Sequence, residues 1–267
     1  MHGTAGTAQE TWSWNWERIL PTLSYGVCTI DVPDRELTNL ARSADFVAEA
    51  ARYTYAKSGR KIAMVGHSQG GTLVTWVAKF FPDVAAKTDD VISLAGDFGG
   101  TGLLTPTCLD GACPAISWQL ILGSRHLKAL RNAPAPAGTS FSSIYSTADE
   151  IVFPQPNGST LPGASNVSLQ DVCGVRLVGH VGILADSVAY TLVKDALDNP
   201  GPTRLSRLSL GTKLTACAGV QQPGADPLGY LKFVPTATSL INGTVFGGQP
   251  DVPREPALPA YAERFAA

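Results

Sequence analysis

The sequence has few of the features that mark membrane, nucleic-acid-binding or metal-binding proteins. No apolar run reaches the roughly 18 residues that a membrane span needs. Charged residues are only 16% of the 267, the net charge is −2, and like charges form no block, so we expect no nucleic acid partner. None of the cysteine spacings resembles a metal site, and we expect neither a metal nor a cofactor. What remains is a globular chain, 44% hydrophobic and long enough for a large core.

The most informative stretch is a serine flanked by glycines, Gly66-His67-Ser68-Gln69-Gly70. An unbroken apolar run over residues 62–65 precedes it and is typical of a parallel strand buried on both faces. Apolar residues then recur at helical spacing: Leu73, Val74, Trp76, Val77 and Phe80. Strand, tight turn and helix form the setting in which such a turn exposes a serine hydroxyl as a nucleophile. The alternative is a serine in a glycine-rich packing turn.

Predicted strands alternate with predicted helices along the chain. The patterns predict helices over residues 14–23, 35–58, 116–131 and 183–197, with a further short helix over 228–233. They predict strands over residues 27–30, 62–65, 90–95, 142–146 and 174–178. This alternation predicts an α/β fold with a mostly parallel sheet and helices on both faces. No linker marks a boundary, so we expect residues 1–267 to form one domain, with an entrance region over 102–135 and an irregular extension over 199–267.

A serine nucleophile needs a base to take its proton, and the chain has four histidines. In the serine–acid–histidine chain order of this fold class, His2 comes too early. His67 lies inside the turn, next to the serine, and His126 lies in a helical pattern where a solvated surface position is expected. His180 remains, in a glycine-flanked loop after the predicted strand 174–178. The alternative for His180 is a structural role in that loop.

The acid of the triad is expected between Ser68 and His180, past the end of a strand. Asp149 meets both conditions, whereas Glu150 is expected to point elsewhere and Asp171 precedes its predicted strand. Asp97 also follows a predicted strand and is the competing candidate. We favour Asp149 as the acid and interpret Asp97 as a carboxylate that lines the pocket or fixes its loop.

Acyl transfer also requires hydrogen-bond donors for the oxyanion. The backbone N–H of Gln69, the residue after the serine, is one expected donor. The other is expected from Thr4, in the glycine-containing loop His2-Gly3-Thr4-Ala5-Gly6-Thr7, which offers a backbone N–H and a hydroxyl. A disordered amino terminus is the alternative interpretation of this loop.

With these residues assigned, the chain resembles the α/β-hydrolase-fold lipases of the Candida antarctica lipase B type and their bacterial relatives. The resemblance rests on Gly3-Thr4 with residues 12–16, Ser68-Gln69-Gly70-Gly71, the run Tyr145-Ser146-Thr147-Ala148-Asp149-Glu150-Ile151-Val152, Val172-Cys173-Gly174, and Glu255-Pro256 with Tyr261 and Phe265. It implies a Ser68–Asp149–His180 triad, an oxyanion hole at Thr4 and Gln69, and a Cys173–Cys217 disulfide. It also implies hydrolysis of carboxylic esters, including acylglycerols, without a cofactor.

The five cysteines suggest an oxidising compartment, and we expect a secreted protein, although reduced cytosolic thiols also fit the count. Cys108 and Cys113 are close enough to close a small loop, and this pair is an addition to the pattern of the family. Cys28 is the cysteine left over.

The substrate pocket is expected to include His67, Asp97, Thr101, Ile151 and Val152. His67 stands where the best-known member of the family has a tryptophan, so that member's alcohol preference is not carried over. Leu103-Leu104 and Ala115-Ile116 fit either an apolar rim that contacts a lipid surface or ordinary packing. The sequence therefore does not decide between lipase and esterase, nor the acyl-chain length.

The resemblance also predicts a feature of the amino terminus. In the family's fold, an apolar strand leads into the Thr4 loop and lies between the strands predicted at 27–30 and 62–65. Only Met1 precedes His2, so we expect this strand to be lacking, its two neighbours to show unpaired backbone groups, and Thr4 to be poorly anchored.

The leading functional hypothesis is a monomeric serine esterase or lipase acting on an ester or acylglycerol. An acyltransferase with the same triad and a non-catalytic binding protein on a hydrolase scaffold are the alternatives.

Overall fold

The structure is a computed structural model and describes residues 1–240 and 249–267. The α-helices are α1 Ala8–Trp12, α2 Trp16–Ile19, α3 Leu40–Ser58, α4 Gln69–Phe80, α5 Pro82–Ala85, α6 Ala115–Leu120, α7 Arg125–Asn132, α8 Leu169–Val172, α9 Ser187–Asp198, α10 Leu210–Ala218, α11 Pro227–Leu240 and α12 Ala260–Glu263. The strands are β1 Ile62–His67, β2 Thr88–Leu94, β3 Cys113–Pro114, β4 Ser140–Tyr145, β5 Ser165–Ser168 and β6 Asp251–Val252. Short 3₁₀ turns cover Leu20–Leu23, Pro33–Glu36, Gly102–Cys108, Gly182–Ala185 and Leu205–Arg207. No helix in the described ranges is long and apolar enough to cross a membrane.

Four strands form a parallel sheet in the order β1-β2-β4-β5. Because successive side chains of a strand point to opposite faces, each strand contributes to two apolar layers. Met64, Val91 and Phe141 pack with α3 and α4 on one face. Ile92 and Ile144 pack with α9 on the other. Helices cover both faces, which confirms the predicted α/β-hydrolase class of fold.

The carboxyl ends of three neighbouring strands bring the predicted site residues to one edge of this sheet. Ser68 follows β1, Asp97 lies just past β2, and Asp149 lies just past β4. Since β1, β2 and β4 run parallel and adjacent, these three residues converge, as expected for the ligand-binding edge of an α/β sheet.

Helix α3 begins at Leu40, five residues later than predicted. The Asn39 side chain accepts a hydrogen bond from the Ala41 N–H and caps the helix. Immediately upstream, Asp34, Arg35 and Glu36 have φ values of 56°, 53° and 62°, which no right-handed helix contains. The predicted end is confirmed, because Gly59 adopts φ 63° as the left-handed terminating residue.

Two predicted strands are wrong. Residues 27–30 and 174–178 form neither a strand nor a helix. The side chains of Val175 and Leu177 are 93% and 88% exposed, so the apolar pattern of this segment is not that of a buried strand. The edge strand that pairs with β4 on the side away from β2 is β5. The sequence pattern does not predict β5, because Ser165-Asn166-Val167-Ser168 carries a single strongly apolar residue.

Beside β1, Met1 takes the place of a neighbouring strand at one point. The Met1 amino group donates to the Val65 carbonyl at 2.7 Å, and the His67 N–H donates to the Met1 carbonyl at 3.1 Å. This is the hydrogen-bond pattern of one residue in a parallel ladder. Residues 27–29 line a groove next to Ala63 and Val65 but do not pair with β1.

The helix predicted over residues 116–131 is two helices, α6 and α7. The chain turns between them at Gly123, which has φ 78°. His126 of α7 is wholly buried, so its predicted surface position is wrong. It accepts a hydrogen bond from the Gln119 amide at 3.0 Å, and its ring stacks on Trp76. Its backbone N–H donates to Glu255, a contact 129 residues away that no local pattern contains.

Elsewhere the predicted helices differ mainly in their bounds. Residues 14–23 divide into α2 and a 3₁₀ turn, with α1 before them, and the helix predicted over 183–197 is α9. Asp186 caps α9 by accepting from the N–H groups of Val188 and Ala189.

The carboxy-terminal part is more regular than predicted. Helix α10 was not expected, and α11 is longer than the helix predicted over residues 228–233. Residues 241–248, part of the segment expected to be irregular, lie outside the described residues. The end of the chain returns to α4, where the rings of Tyr261 and Phe265 pack on Phe80.

Both expected disulfides are present. Cys108 bonds to Cys113 with their Cα atoms 4.9 Å apart, and Cys173 bonds to Cys217 at 5.6 Å. Cys28 is a free, exposed thiol.

Candidate active site

Ser68 lies at the apex of a sharp turn between β1 and α4. Its backbone has φ 55° and ψ −129°, a conformation that residues with side chains rarely adopt. Glycine is required on both sides of it. A Cβ on Gly66 would lie 2.2 Å from the Gly70 carbonyl oxygen, and one on Gly70 would lie 2.1 Å from that of His2. The Ser68 N–H donates to the Leu94 carbonyl at 2.9 Å, which fixes the turn to β2.

His180 and Asp149 form a buried hydrogen-bonded pair. His180 Nδ1 lies 2.8 Å from Asp149 Oδ2, and the other carboxylate oxygen accepts the N–H groups of Ile151 and Val152 at 2.9 and 2.8 Å. Burial alone would lower the pKa of His180, but the charge and hydrogen bond of Asp149 raise it above its ordinary value. For Asp149, burial opposes ionisation, but His180 and the two N–H groups lower its pKa below the usual range.

The backbone of His180 is bound by two further side chains. Its N–H donates to Glu150 Oε2 at 3.0 Å, and its carbonyl accepts from His67 Nε2 at 2.9 Å. Glu150 does not face the imidazole, as expected, but its carboxylate binds the main chain of His180. Sequence reasoning missed this contact because it asked only which carboxylate faces the imidazole, whereas Glu150 contacts the main chain.

The Thr4 loop is tied to the turn and to residues 34–36. The Thr4 hydroxyl donates to Gln69 Oε1 at 2.6 Å, and Gln69 Nε2 donates to the Glu36 carbonyl at 3.0 Å. The Ala5 N–H donates to the Arg35 carbonyl at 2.8 Å, and the Arg35 guanidinium donates back to the Ala5 carbonyl at 2.7 Å. The expectation of a poorly anchored Thr4 does not match these contacts. The backbone N–H of Gln69 is in the first turn of α4, where no intrahelical partner exists.

A buried polar cluster lies beneath this loop. Glu36 is wholly buried, and neither carboxylate oxygen has a hydrogen-bond partner in the described part of the chain. Burial raises the pKa of Glu36 well above its ordinary range and lowers that of the neighbouring His2 to about 4. Burial thus favours the neutral form of both groups. Their burial was not apparent from the sequence.

Except for Asp149, which lies behind His180, the residues assigned to the site line one pocket of about 820 Å³, including its open mouth. The five residues predicted to line it all do so: His67, Asp97, Thr101, Ile151 and Val152. Ser68, His180, Thr4 and Gln69 lie in the same wall. Apolar side chains supply much of the remainder: Leu103, Leu104, Ile116, Leu120, Val181, Phe233 and Ala237.

Asp97, the competing acid, is bound differently from Asp149. Its Oδ1 accepts the Gly100 N–H at 2.8 Å, and its backbone is held by Thr72, whose hydroxyl donates to the Asp97 carbonyl at 2.7 Å. Burial raises the pKa of Asp97 to about 8. At pH 7 it is a neutral carboxylic acid in the pocket wall, which suits a pocket-lining residue and not the charged acid of a triad.

Comparisons with known proteins identify the family and the fold. No protein-family model matches the chain. Over 274 aligned positions the chain is 30% identical to lipase B of Pseudozyma antarctica, with 99% of this chain and 78% of that protein covered. Its fold matches the crystal structure of Aspergillus fumigatus lipase B with a TM-score of 0.86 at 28% identity, over 98% of this chain and 65% of that one.

A lipase of Bacillus licheniformis in its propeptide form shares the fold at a TM-score of 0.62 and 17% identity, over 76% of this chain and 50% of that one. Of the Aspergillus protein described above, the chain spans 65% of the length. The identity and coverage shared with the Pseudozyma protein confirm the resemblance drawn from the motifs. The chain belongs to the lipase B family of carboxylic-ester hydrolases with the α/β-hydrolase fold.

Proposed function

We propose that this protein hydrolyses carboxylic esters through an acyl-enzyme, with Ser68 as nucleophile, His180 as general base and Asp149 as its acid. The observation that carries the proposal is the 2.8 Å contact between His180 Nδ1 and Asp149 Oδ2 in a pocket that Ser68 also lines. A buried, oriented imidazole in the same pocket as a serine on a sharp turn is the arrangement that nucleophilic acyl transfer requires.

In the acylation half, Ser68 Oγ attacks the ester carbonyl and its proton passes to His180 Nε2. Asp149 accepts from Nδ1, so it keeps the imidazole in the required tautomer and stabilises the imidazolium. The tetrahedral intermediate then collapses, the C–O bond to the alcohol breaks, and the alcohol leaves with the proton from His180. In the second half, a water molecule replaces the alcohol and the same steps release the acid.

The oxyanion of each intermediate is expected to bind the backbone N–H groups of Gln69 and Thr4. Gln69 supplies an N–H from the first turn of α4, where the helix dipole also favours negative charge. The Thr4 hydroxyl is engaged with Gln69 Oε1, so its role in this proposal is to hold the two donor residues together.

The apolar wall indicates the kind of acyl group. Leu104, Ile116 and Leu120 offer aliphatic surface to an alkyl chain, and polar groups are concentrated around Ser68. We therefore propose acylglycerols and other esters of aliphatic acids as substrates, with transient contact to a lipid surface for insoluble ones. The two disulfides support a secreted protein, because such bonds persist in oxidising compartments. The proposal takes the enzyme to act as a monomer.

The test is hydrolysis of p-nitrophenyl esters by the parent protein and by Ser68→Ala and His180→Ala. Both variants should lose at least about 10³-fold in kcat while keeping the circular dichroism spectrum and Tm of the parent. A fluorophosphonate probe should label the parent at Ser68 and leave Ser68→Ala unlabelled. Undiminished turnover by either folded variant contradicts the proposal.

A series of esters from acetate to palmitate, with and without an oil–water interface, then separates lipase from esterase. The aliphatic wall predicts a preference for chains longer than acetate and a gain at the interface. A preference for acetate without an interfacial gain removes the lipase assignment and leaves the esterase.

A further inference from the structure

The loop that carries His180 has little regular structure to hold it. Residues 174–180 belong to no helix and no strand. Val175 and Leu177 are exposed, and only Val178 of the loop packs, partly buried, against the core. Arg176 holds its first part through Asp186 at 2.8 Å and the Gly219 carbonyl at 2.8 Å. A general base must nevertheless stay within a fraction of an ångström of its working position. The contacts at His180 itself therefore matter.

Three side chains hold His180, and they come from both of the other proposed triad segments. Asp149 binds its ring, Glu150 accepts its backbone N–H at 3.0 Å, and His67 donates to its carbonyl at 2.9 Å. Glu150 follows Asp149 in the chain, and His67 precedes Ser68. The residues that fix the main chain of His180 are thus the direct neighbours of its two proposed partners.

In the hydrogen bond between His67 Nε2 and the His180 carbonyl, His67 must be the donor. A carbonyl oxygen only accepts, so the hydrogen of the His67 ring must be on Nε2. Burial lowers the pKa of His67 to about 3, so the ring is neutral across the working pH range and Nδ1 carries no hydrogen. The rings of His67 and His180 also pack with their centroids 4.8 Å apart.

The contact from Glu150 depends on a glycine. A Cβ on Gly179 would lie 2.3 Å from Glu150 Oε2, so a side chain there would push the carboxylate away from the His180 N–H. The absence of a side chain at residue 179 is therefore what allows Glu150 to reach the backbone.

We propose that His67 and Glu150 are positioning residues that clamp the backbone of His180, so that its ring meets the Ser68 hydroxyl in the geometry for proton transfer. This inference rests on the proposed function, because it assigns the two residues to the same reaction. Neither residue contacts the reacting atoms in this scheme. Each acts through His180, and each hydrogen bond replaces one that a strand or helix would otherwise provide.

The charged and titratable groups that face His180 are Asp149, Glu150, Asp97 and His67. Asp149 and Glu150 both raise the pKa of His180, so the two effects of Glu150, charge and hydrogen bond, have to be separated experimentally. Glu150→Gln removes the charge and keeps an oxygen acceptor. Glu150→Ala removes both.

The experiment compares kcat, KM and the pH profile of Glu150→Ala, Glu150→Gln, His67→Phe and His67→Gln, per active site titrated with a fluorophosphonate. We expect Glu150→Ala and His67→Phe each to lower kcat about 10-fold, and the double variant about 100-fold, as for ångström-scale misplacement of a catalytic group. For Glu150→Ala, whose side chain is not part of the pocket lining, KM should stay within about twofold. Glu150→Gln and His67→Gln should recover most of the kcat, because the introduced amide supplies an acceptor in the first variant and a donor in the second. Both Glu150 variants should move the acid limb of the pH profile to lower pH, but only the alanine should lower its plateau.

Two controls match these changes. Asp45→Ala removes an exposed carboxylate on α3, and His126→Phe replaces a buried histidine away from the pocket. Both should keep the kcat of the parent per titrated site, even if His126→Phe lowers the Tm. The clamp would be overturned if Glu150→Ala and His67→Phe kept the kcat of the parent. It would also be overturned if they lost kcat and the corresponding glutamine variants did not recover it. Ser68→Ala distinguishes failure of the clamp from failure of the proposed function. If Ser68→Ala is inactive, the proposed function stands whatever the clamp variants show. If Ser68→Ala is active, both proposals are wrong.

Discussion

At the scale of single residues, the hydroxyl of Thr4 joins the two parts of the proposed oxyanion hole. It donates to Gln69 Oε1, and Gln69 in turn donates to the Glu36 carbonyl. Thr4→Val keeps the shape and removes this link, so we expect kcat on p-nitrophenyl butyrate to fall about 10-fold. Thr4→Ser keeps the hydroxyl and should retain most of the activity. Equal kcat values for the valine and serine variants would show that the hydroxyl has no role in positioning.

The buried carboxyl of Asp97 leads to a prediction of how the free energy of unfolding depends on pH. Its pKa is raised to about 8 in the folded protein, whereas an unfolded aspartate titrates near 4. Between these values the unfolded state releases a proton that the folded state keeps, so the free energy of unfolding falls as the pH rises. The stabilisation from the neutral carboxyl is complete below about pH 4 and is lost as the pH rises through about 8.

Asp97→Asn cannot titrate and should escape this loss. Relative to the parent, it should gain up to about 1.4 kcal/mol for each pH unit between pH 4 and 8. Urea denaturation of both proteins at pH 5, 7 and 9 measures this difference. A difference between Asp97→Asn and the parent that does not change with pH would mean that Asp97 is ionised in the folded state.

At the scale of secondary-structure elements, the parts that sequence predicted well are those with dense local signals. β1 and α4 combine an apolar run, two obligatory glycines and helical spacing around Ser68. The segments that the sequence pattern did not predict depend on contacts with residues distant in the chain. β5 is polar and is a strand only because β4 lies beside it, whereas the apolar residues near Val175 and Leu177 suggested a strand that the exposed loop does not form.

The same distinction applies to the candidate site. Ser68, Asp149 and His180 could be named by elimination, since the chain has few histidines and the order along the chain is restrictive. Glu150 and His67 could be seen in the sequence, but their contacts with the His180 backbone could not, because they join positions 30 and 113 residues apart. The sequence predicts a helix that includes Glu36, whereas the structure has a left-handed turn there, before α3.

The two disulfides close loops of different size between elements, and this predicts different contributions. Cys173 follows α8 and bonds to Cys217 of α10, 44 positions away, whereas Cys108 and Cys113 are 5 positions apart. By the chain-entropy model, the longer loop stabilises by about 4 kcal/mol and the shorter one by about 2 kcal/mol. Cys173→Ser/Cys217→Ser should therefore lower the Tm more than Cys108→Ser/Cys113→Ser. The reverse order, measured by calorimetry, would show that the entropy of the unfolded chain does not govern these bonds.

At the scale of the whole molecule, the amino terminus forms part of the pocket and the carboxy terminus packs on the central helices. Residues near Thr4 form one wall of the pocket, and Phe233 of α11 lies in another. The last residues return over α4 and α7, where Arg125 pairs with Glu263 and Asn132 binds the Phe265 carbonyl. Packing across the whole length of the chain thus holds the helices behind the pocket, which is why local patterns described this region least well.

The tryptophans give the molecule an optical property that follows from their burial. Trp12, Trp14, Trp16 and Trp76 are 0–5% exposed, whereas Trp118 of α6 is only half-buried. The indole N–H of Trp118 donates to the Val252 carbonyl at 3.0 Å. Its emission is therefore the red-shifted component and the one that iodide or acrylamide should quench first. Ile116 and Leu120 of the same helix line the pocket, so a change in that component when an ester or a micelle binds would report on α6 without any added label.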